Sequence, residues 1–189
     1  MKKLACLMIA ALLSSALYAQ KYVPQIKEGT QINYSATVKA LGQTAALTLT
    51  IQSLSDPLRM KWVVPQLGTG TFEISAKALE SGNKMAIKEP AMSEVTRLKD
   101  NETLAVLSKT TFNNLSANKK FELNGQTYVV MDDPNTQPYL INNKEADVIY
   151  ASTANGKNKI WVLNNPDFPL VVRTQSTLSI DFWLDKISD

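Results

Sequence analysis

Two stretches of the chain, Ser81-Gly82-Asn83-Lys84 and Ser116-Ala117-Asn118-Lys119, set a serine three residues before a lysine. In that arrangement a buried, neutral lysine can take the serine's proton and make it a nucleophile, provided an oxyanion site receives the developing charge. The Lys-Thr-Gly element that accompanies such a pair in penicillin-recognising enzymes is absent. The same residues also read as a turn and a helix end in a chain rich in Ser, Asn and Lys. Asp132-Asp133-Pro134-Asn135 offers oxygen ligands of the kind calcium takes, yet lacks the Gly and distal Glu of a calcium loop. Its plainer reading is turn chemistry after a strand. Paired carboxylates for glycoside hydrolysis would have to meet in space, and no local group of Asp and Glu points to them.

The residue inventory removes most other chemistries. The chain has no His, and its single Cys, Cys6, lies near the N-terminus. Zinc sites, disulfides, Cys nucleophiles and Ser-His-Asp mechanisms are therefore excluded for the chain beyond Cys6. No catalytic residue, metal or cofactor is assigned, and an enzyme is not the expected class. Lys and Arg number 20 against 17 Asp and Glu, and without Lys2 and Lys3 the balance is 18 to 17. Nucleic acid is not an expected partner of so nearly neutral a chain.

Lys2-Lys3, the apolar run from Leu4 to Leu13, and Ser14-Ser15-Ala16-Leu17-Tyr18-Ala19 follow the three-part order of a secretory signal. Residues 1–19 are read as that signal, cleaved after Ala19 or alternatively after Ala16, and residues 20–189 as one domain. Lipidation at Cys6 is disfavoured, because almost no apolar region precedes it. The apolar run falls short of the ~20 residues that span a bilayer, so no transmembrane anchor is expected. The dibasic leader and the cysteine-free remainder place the protein in a Gram-negative periplasm or outside the cell. The sequons at Asn33, Asn101 and Asn114 are read as chance.

The elements that must position any site are mainly strands. Ile32, Tyr34, Ala36 and Val38 alternate with polar residues, as do Leu47, Leu49 and Ile51, which predicts a hairpin turning near Leu41 to Gln43. Leu58, Met60, Trp62 and Val64 alternate next, then Phe72, Ile74, Ala76 and Ala78, then Met85 and Ile87 after a Ser81-Gly82-Asn83 turn. One helix is predicted over about residues 101–117, capped by Asp100 or Asn101, with Leu104, Leu107, Thr111 and Leu115 on one face. Asn124-Gly125 marks a two-residue hairpin between Lys120–Leu123 and Thr127–Met131. An irregular loop from Asp132 to Lys144 is expected to cover one side of the sheet. Strands over Val148–Ala154, Lys159–Leu163, Leu170–Thr174 and Leu178–Leu184 finish the chain.

These connections look too short for parallel crossovers. The expected fold is mainly β (α+β), a single strongly curved antiparallel sheet or half-barrel with one helix packed on its concave face. Met60, Trp62, Phe72, Met85 and Ile87 recur on inward sides of consecutive strands, and Met92 and Met131 lie near the helix and the loop. Flexible thioethers and aromatic walls suit a cavity for an apolar ligand. Met60, Trp62, Phe72, Met85, Ile87 and Met131 are therefore the candidate ligand-binding residues, and the alternative is that they simply fill the core. Trp183 falls on the polar side of its strand, as a surface anchor or part of a second apolar face.

The segment from Lys157 to Arg173, with Lys159-Ile160-Trp161-Val162-Leu163, the turn Asn164-Asn165-Pro166-Asp167 and Phe168-Pro169-Leu170-Val171-Val172, resembles a late hairpin of the outer-membrane lipoprotein carrier (LolA/LolB-like) half-barrel superfamily. The order of signal, sheet, interrupting helix and returning hairpins is similar too. The resemblance implies a curved sheet whose concave apolar side accepts acyl chains or another lipid, with Trp161 and Pro169 structural. The expected function is thus a periplasmic carrier or binding protein for an apolar small molecule or lipid. The competing class is a cell-envelope structural or interaction module with a solid core and a protein partner.

Overall fold

The computed structural model describes residues 21–86, 92–135, 137–177 and 179–188. Residues 1–19, read above as a signal, and Ile87 and Leu178 lie outside the described residues.

Alternation becomes strand along the first half of the chain. β1 (Gln31–Val38) and β2 (Gln43–Ser53) form the expected hairpin, with Val38 opposite Gln43. β3 (Leu58–Val64) pairs with β2, and β4 (Gly68–Ile74) pairs with β3, so that Met60 faces Phe72 and Trp62 faces Gly70. On β3 the buried Leu58, Met60 and Trp62 alternate with the exposed Arg59 and Lys61.

Two helices follow the sequence differently from the prediction. α1 (Ala76–Ser81) replaces the expected continuation of a strand through Ala78, because the Ser75 hydroxyl accepts the Ala78 N–H at 3.2 Å and caps a helix there. Gly82 ends it, where a Cβ would stand 2.6 Å from the Ala78 carbonyl oxygen. The predicted helix over residues 101–117 is shorter: α2 spans Lys109–Asn118 and is capped by Ser108, not by Asp100 or Asn101. Upstream, the chain is extended; its Glu102–Thr103 stretch (β7) pairs in parallel with Lys84–Met85 (β5), and Ala105 at φ 57° cannot belong to a right-handed helix. Leu104 and Leu107 thus precede the helix whose face they seemed to share.

In the second half, β8 (Lys120–Leu123) and β9 (Gln126–Val130) turn through Asn124 and Gly125 at φ 55° and 72°, the positive pair that a two-residue hairpin demands. β12 (Val148–Thr153), β13 (Lys159–Leu163), β14 (Val171–Gln175) and β15 (Ile180–Ser188) are antiparallel neighbours, and β15 returns to pair with β1. A short edge strand, β6 (Val95–Arg97), adds in parallel to β4. The resulting eleven-stranded sheet has the order β6-β4-β3-β2-β1-β15-β14-β13-β12-β9-β8 and does not close into a barrel. The fold is mainly β, as expected, but the sheet is mixed instead of wholly antiparallel. Residues 75–94 explain this: they are enough chain, with a helix in it, to make the parallel return that short hairpins cannot.

The stretch from Asp132 to Lys144 is less irregular than predicted. Leu140–Ile141 (β10) and Lys144–Glu145 (β11) form a small hairpin turned by Asn142 and Asn143. It docks on β15, where the Asn142 amide donates to the Ile187 carbonyl at 2.6 Å and accepts the Ile187 N–H at 3.2 Å. The Tyr139 hydroxyl donates to the Val172 and Leu184 carbonyls at 2.9 and 3.1 Å.

The buried apolar residues fall into two clusters. The larger holds Ile32, Leu49, Leu58, Met60, Trp62, Phe72, Trp161, Leu163 and Phe168, among others. The smaller gathers Phe112 and Leu115 of α2 with Met85, Phe121, Leu123, Tyr128, Ile160 and Val162. Neighbouring residues of β13 go alternately to the two, Ile160 and Val162 to one, Trp161 and Leu163 to the other, so this strand is covered on both sides. The apolar side of α2 therefore belongs with β8, β9 and Met85, and not with Met60 and Trp62 as the prediction of one helix over one cavity required.

Candidate functional site

A cleft of about 600 Å³ lies at one end of the larger cluster. Five segments far apart in sequence build it: residues 25–27, the 54–56 turn, α1, residues 106–109 and residues 165–169. Leu58, Val106 and Phe168 line it while belonging to the larger core cluster, so the floor of the cleft is the end of that core. Ile26 and Leu79, also in the lining, pack against the same cluster.

Local hydrogen bonding holds each wall. Asn165 is the central clasp: its side-chain oxygen accepts the Asp167 and Phe168 N–H groups at 3.0 and 3.3 Å, and its amide donates to the Pro24 carbonyl at 3.5 Å. Pro169 accepts the Leu107 N–H at 3.0 Å, tying two walls together. Asp56 accepts the Ala76 N–H at 3.0 Å and so fixes the start of α1 against the 54–56 turn. At the rim Lys109 and Glu80 form an ion pair at 3.3 Å. Beside α1, the Ser75 hydroxyl and then the Lys77 ammonium hold the Asp100 carboxyl below its usual range. The lining mixes apolar side chains with Lys27, Asp56, Glu80, Lys109 and Asp167, and the volume lies in the ordinary range for a small-molecule pocket.

The predicted wall residues are dispersed. Met60, Trp62 and Phe72 lie together in the larger cluster, all buried, on β3 and β4. Met85 is in the smaller cluster, and Met131 is 55 % exposed. Ile87 lies outside the described residues, and Met92 is exposed. None of Met60, Trp62, Phe72, Met85 or Met131 lines the cleft, although Leu58 joins it to the Met60 and Trp62 row. The indole N–H of Trp62 is the one buried side-chain polar group without a hydrogen-bond partner among the described residues.

The other candidate motifs have structural placements. Ser81 and Ser116 each donate their hydroxyl to a helix carbonyl, of Lys77 and Asn113 respectively, while Lys84 and Lys119 are exposed. Asp133 makes the expected turn, accepting the Asn135 N–H at 2.9 Å, and also accepts the Trp161 indole N–H at 2.6 Å. No group of three or more His, Cys, Asp or Glu able to hold a metal occurs among the described residues. Trp183 is 45 % exposed, with the Arg173 guanidinium over its ring at 4.1 Å and Tyr139 stacked beside it. Trp161 is buried, and Pro169, which lines the cleft, accepts the Leu107 N–H through its carbonyl. No helix of the described residues is long and apolar enough to cross a membrane.

Comparison of the chain with protein family models, with curated proteins and with solved structures finds no significant match to any of them.

Proposed function

We propose that this protein holds an apolar ligand, an acyl chain or another lipid, in the cleft between α1, residues 25–27 and residues 165–169, as a carrier or binding protein of the periplasm. The supporting observation is the continuity of the cleft with the apolar core through Leu58, Val106 and Phe168. Ligand surface buried there would contribute roughly 25 cal/mol per Å², less the cost of ordering. On this reading the sheet is curved in the manner of the lipoprotein carrier half-barrels, and the leader over residues 1–19 exports the chain. The strap of residues 22–27 is the movable wall. At one end the Tyr22 N–H donates to the Glu145 carbonyl at 2.7 Å and the Asp147 N–H to the Tyr22 carbonyl at 3.2 Å, and Gly29 and Thr30 join it to Ile51 at the other.

Native mass spectrometry of protein purified from its own envelope, followed by organic extraction, tests the proposal. A discrete added mass that extracts as a fatty acid, phospholipid or other apolar molecule supports it. A mass at the polypeptide value, with no uptake of an environment-sensitive apolar dye, overturns it. The alternative is an interaction module, and the exposed Leu67, Met92 and Val95 near edge strand β6 favour that reading.

A further inference from the structure

The indole N–H of Trp62 is buried and has no acceptor among the described residues. An unpaired donor in an apolar interior is expensive, because water is given up and no acceptor replaces it; a phenylalanine would fill much of the same space without that cost. Trp161, the other buried tryptophan, shows the ordinary solution, an acceptor 2.6 Å away on Asp133. Trp62 stands apart from this pattern, and its place in the sheet suggests why.

Leu58, Met60 and Trp62 follow one another along the buried side of β3, and Leu58 is a cleft residue. Four residues of strand at ~3.4 Å each set Trp62 roughly 14 Å beyond Leu58. Between them stands Met60, whose unbranched thioether can change rotamer to let a chain pass. On β4 the position opposite Trp62 is Gly70, which brings no side chain to the row, while on β2 it is the buried Leu49. The acceptor that reaches this N–H must be neutral: no Lys or Arg is buried among the described residues, and the buried carboxylate Glu73 is already paired with Arg59 and Arg97. A carboxylate taken to this depth would have no cation to meet it.

We infer that Trp62 is a specificity-determining residue of the cleft, its N–H reserved for a neutral carbonyl oxygen, of an ester, amide or ketone, carried within an otherwise apolar ligand that enters past Leu58 and displaces Met60. This rests on the proposed function above and narrows its ligand class to carbonyl-bearing apolar molecules, as against plain hydrocarbon chains or free fatty acids.

The test uses two pyrene-labelled chains of equal length, one interrupted by an ester and one an unbroken hydrocarbon, titrated into the wild-type protein and into Trp62→Phe. Wild type should take the ester several-fold to about ten-fold more tightly, the value of one added hydrogen bond, and in Trp62→Phe the ester-to-hydrocarbon ratio should fall to about one. A second measurement needs no variant. In the ¹H–¹⁵N spectrum of the wild-type protein, the Trp62 indole signal should move downfield with the ester and not with the hydrocarbon. An unchanged ratio in Trp62→Phe, or an indole signal equally shifted or unmoved by both probes, overturns the inference while leaving the carrier reading standing. Failure of wild type to bind either probe overturns both.

Discussion

Asp133 accepts the indole N–H of Trp161 at 2.6 Å, so an exposed turn residue holds a fully packed one on β13. The same indole packs against Tyr150 at 4.8 Å and lies under the Arg173 guanidinium at 4.5 Å. Register places Tyr150, Trp161, Arg173 and Trp183 on four consecutive strands, which makes Asp133 the outer anchor of a cross-strand row. Asp133→Ala should cost about 1–2 kcal/mol in urea unfolding, since it leaves the N–H without its charged acceptor. Asp133→Asn keeps an oxygen there and should cost less than half as much.

Glu73 is a second anchor, on β4. Its two carboxylate oxygens separately meet Arg59 at 2.8 Å and Arg97 at 2.9 Å, the residues opposite it on β3 and β6. Glu73→Gln should lower stability by about 1–2 kcal/mol, a modest figure because both guanidinium groups remain largely in water. The local effect should be larger, since the Arg97 contact helps hold a strand of three residues at the sheet edge. Hydrogen exchange at Val95 to Arg97 should quicken in the variant, and 0.5 M salt should narrow its difference from wild type.

The strands were legible because one period governs them: Ile32 and Tyr34, Leu49 and Ile51, Leu58, Met60 and Trp62, and Phe72 and Ile74 are the alternate residues named, and all are buried. Helix ends were less so. Leu104, Leu107, Thr111 and Leu115 have helical spacing, but Ala105 takes a left-handed backbone and Leu107 gives its N–H to Pro169, a partner 62 positions away that spacing does not reveal. Ser108 was a readable cap, three residues before Thr111, and Ser75 another before Ala78. The cleft left almost no trace in the sequence, because its five walls meet only in space. Ala76, Leu107 and the Asn165 to Pro169 turn are readable as strand, helix face and a resemblance, and none of them carries a sign of a pocket.

Alkaline conditions should unfold the protein through its buried phenols. Burial, and then the neighbouring Tyr139, push the Tyr34 hydroxyl well above its ordinary range; burial chiefly, with the Asp185 carboxylate adding and Arg173 opposing, does the same for Tyr139. Both hydroxyls donate to backbone carbonyls across strands, which a phenolate cannot do. In the unfolded chain a tyrosine ionises near pH 10, whereas these two keep their protons past that point. Above about pH 10 the folded state therefore binds more protons than the unfolded state, and stability falls as pH rises, by about 1.4 kcal/mol per pH unit for each phenol. Below pH 10 the contribution is fully present. Urea unfolding between pH 8 and 11.5 should show this slope, and Tyr34→Phe should flatten it by about one proton's worth while lowering stability by about 1 kcal/mol at pH 7.

Asn165 lets the strap be separated from the wall it leans on. Its side-chain oxygen organises the turn at Asp167 and Phe168, whereas its amide reaches the Pro24 carbonyl. Asn165→Asp keeps the first function and replaces the second with two oxygens facing each other. At 3.5 Å the lost bond is a long one, so global stability should fall by no more than about 1 kcal/mol. Hydrogen exchange over residues 25–28 should nonetheless rise, because the Pro24 carbonyl beside it loses its tie to the 165–168 turn. Asn165→Ala should raise exchange in both the strap and residues 167–168 and cost about 2–3 kcal/mol, as two backbone donors lose their acceptor. If the strap is the movable wall of the cleft, Asn165→Asp should also speed both uptake and release of an apolar dye with little change in its affinity, since it alters the barrier more than either end state. Unaltered dye kinetics with a loosened strap would place the ligand's entry on another side of the cleft, at the 54–56 turn or α1.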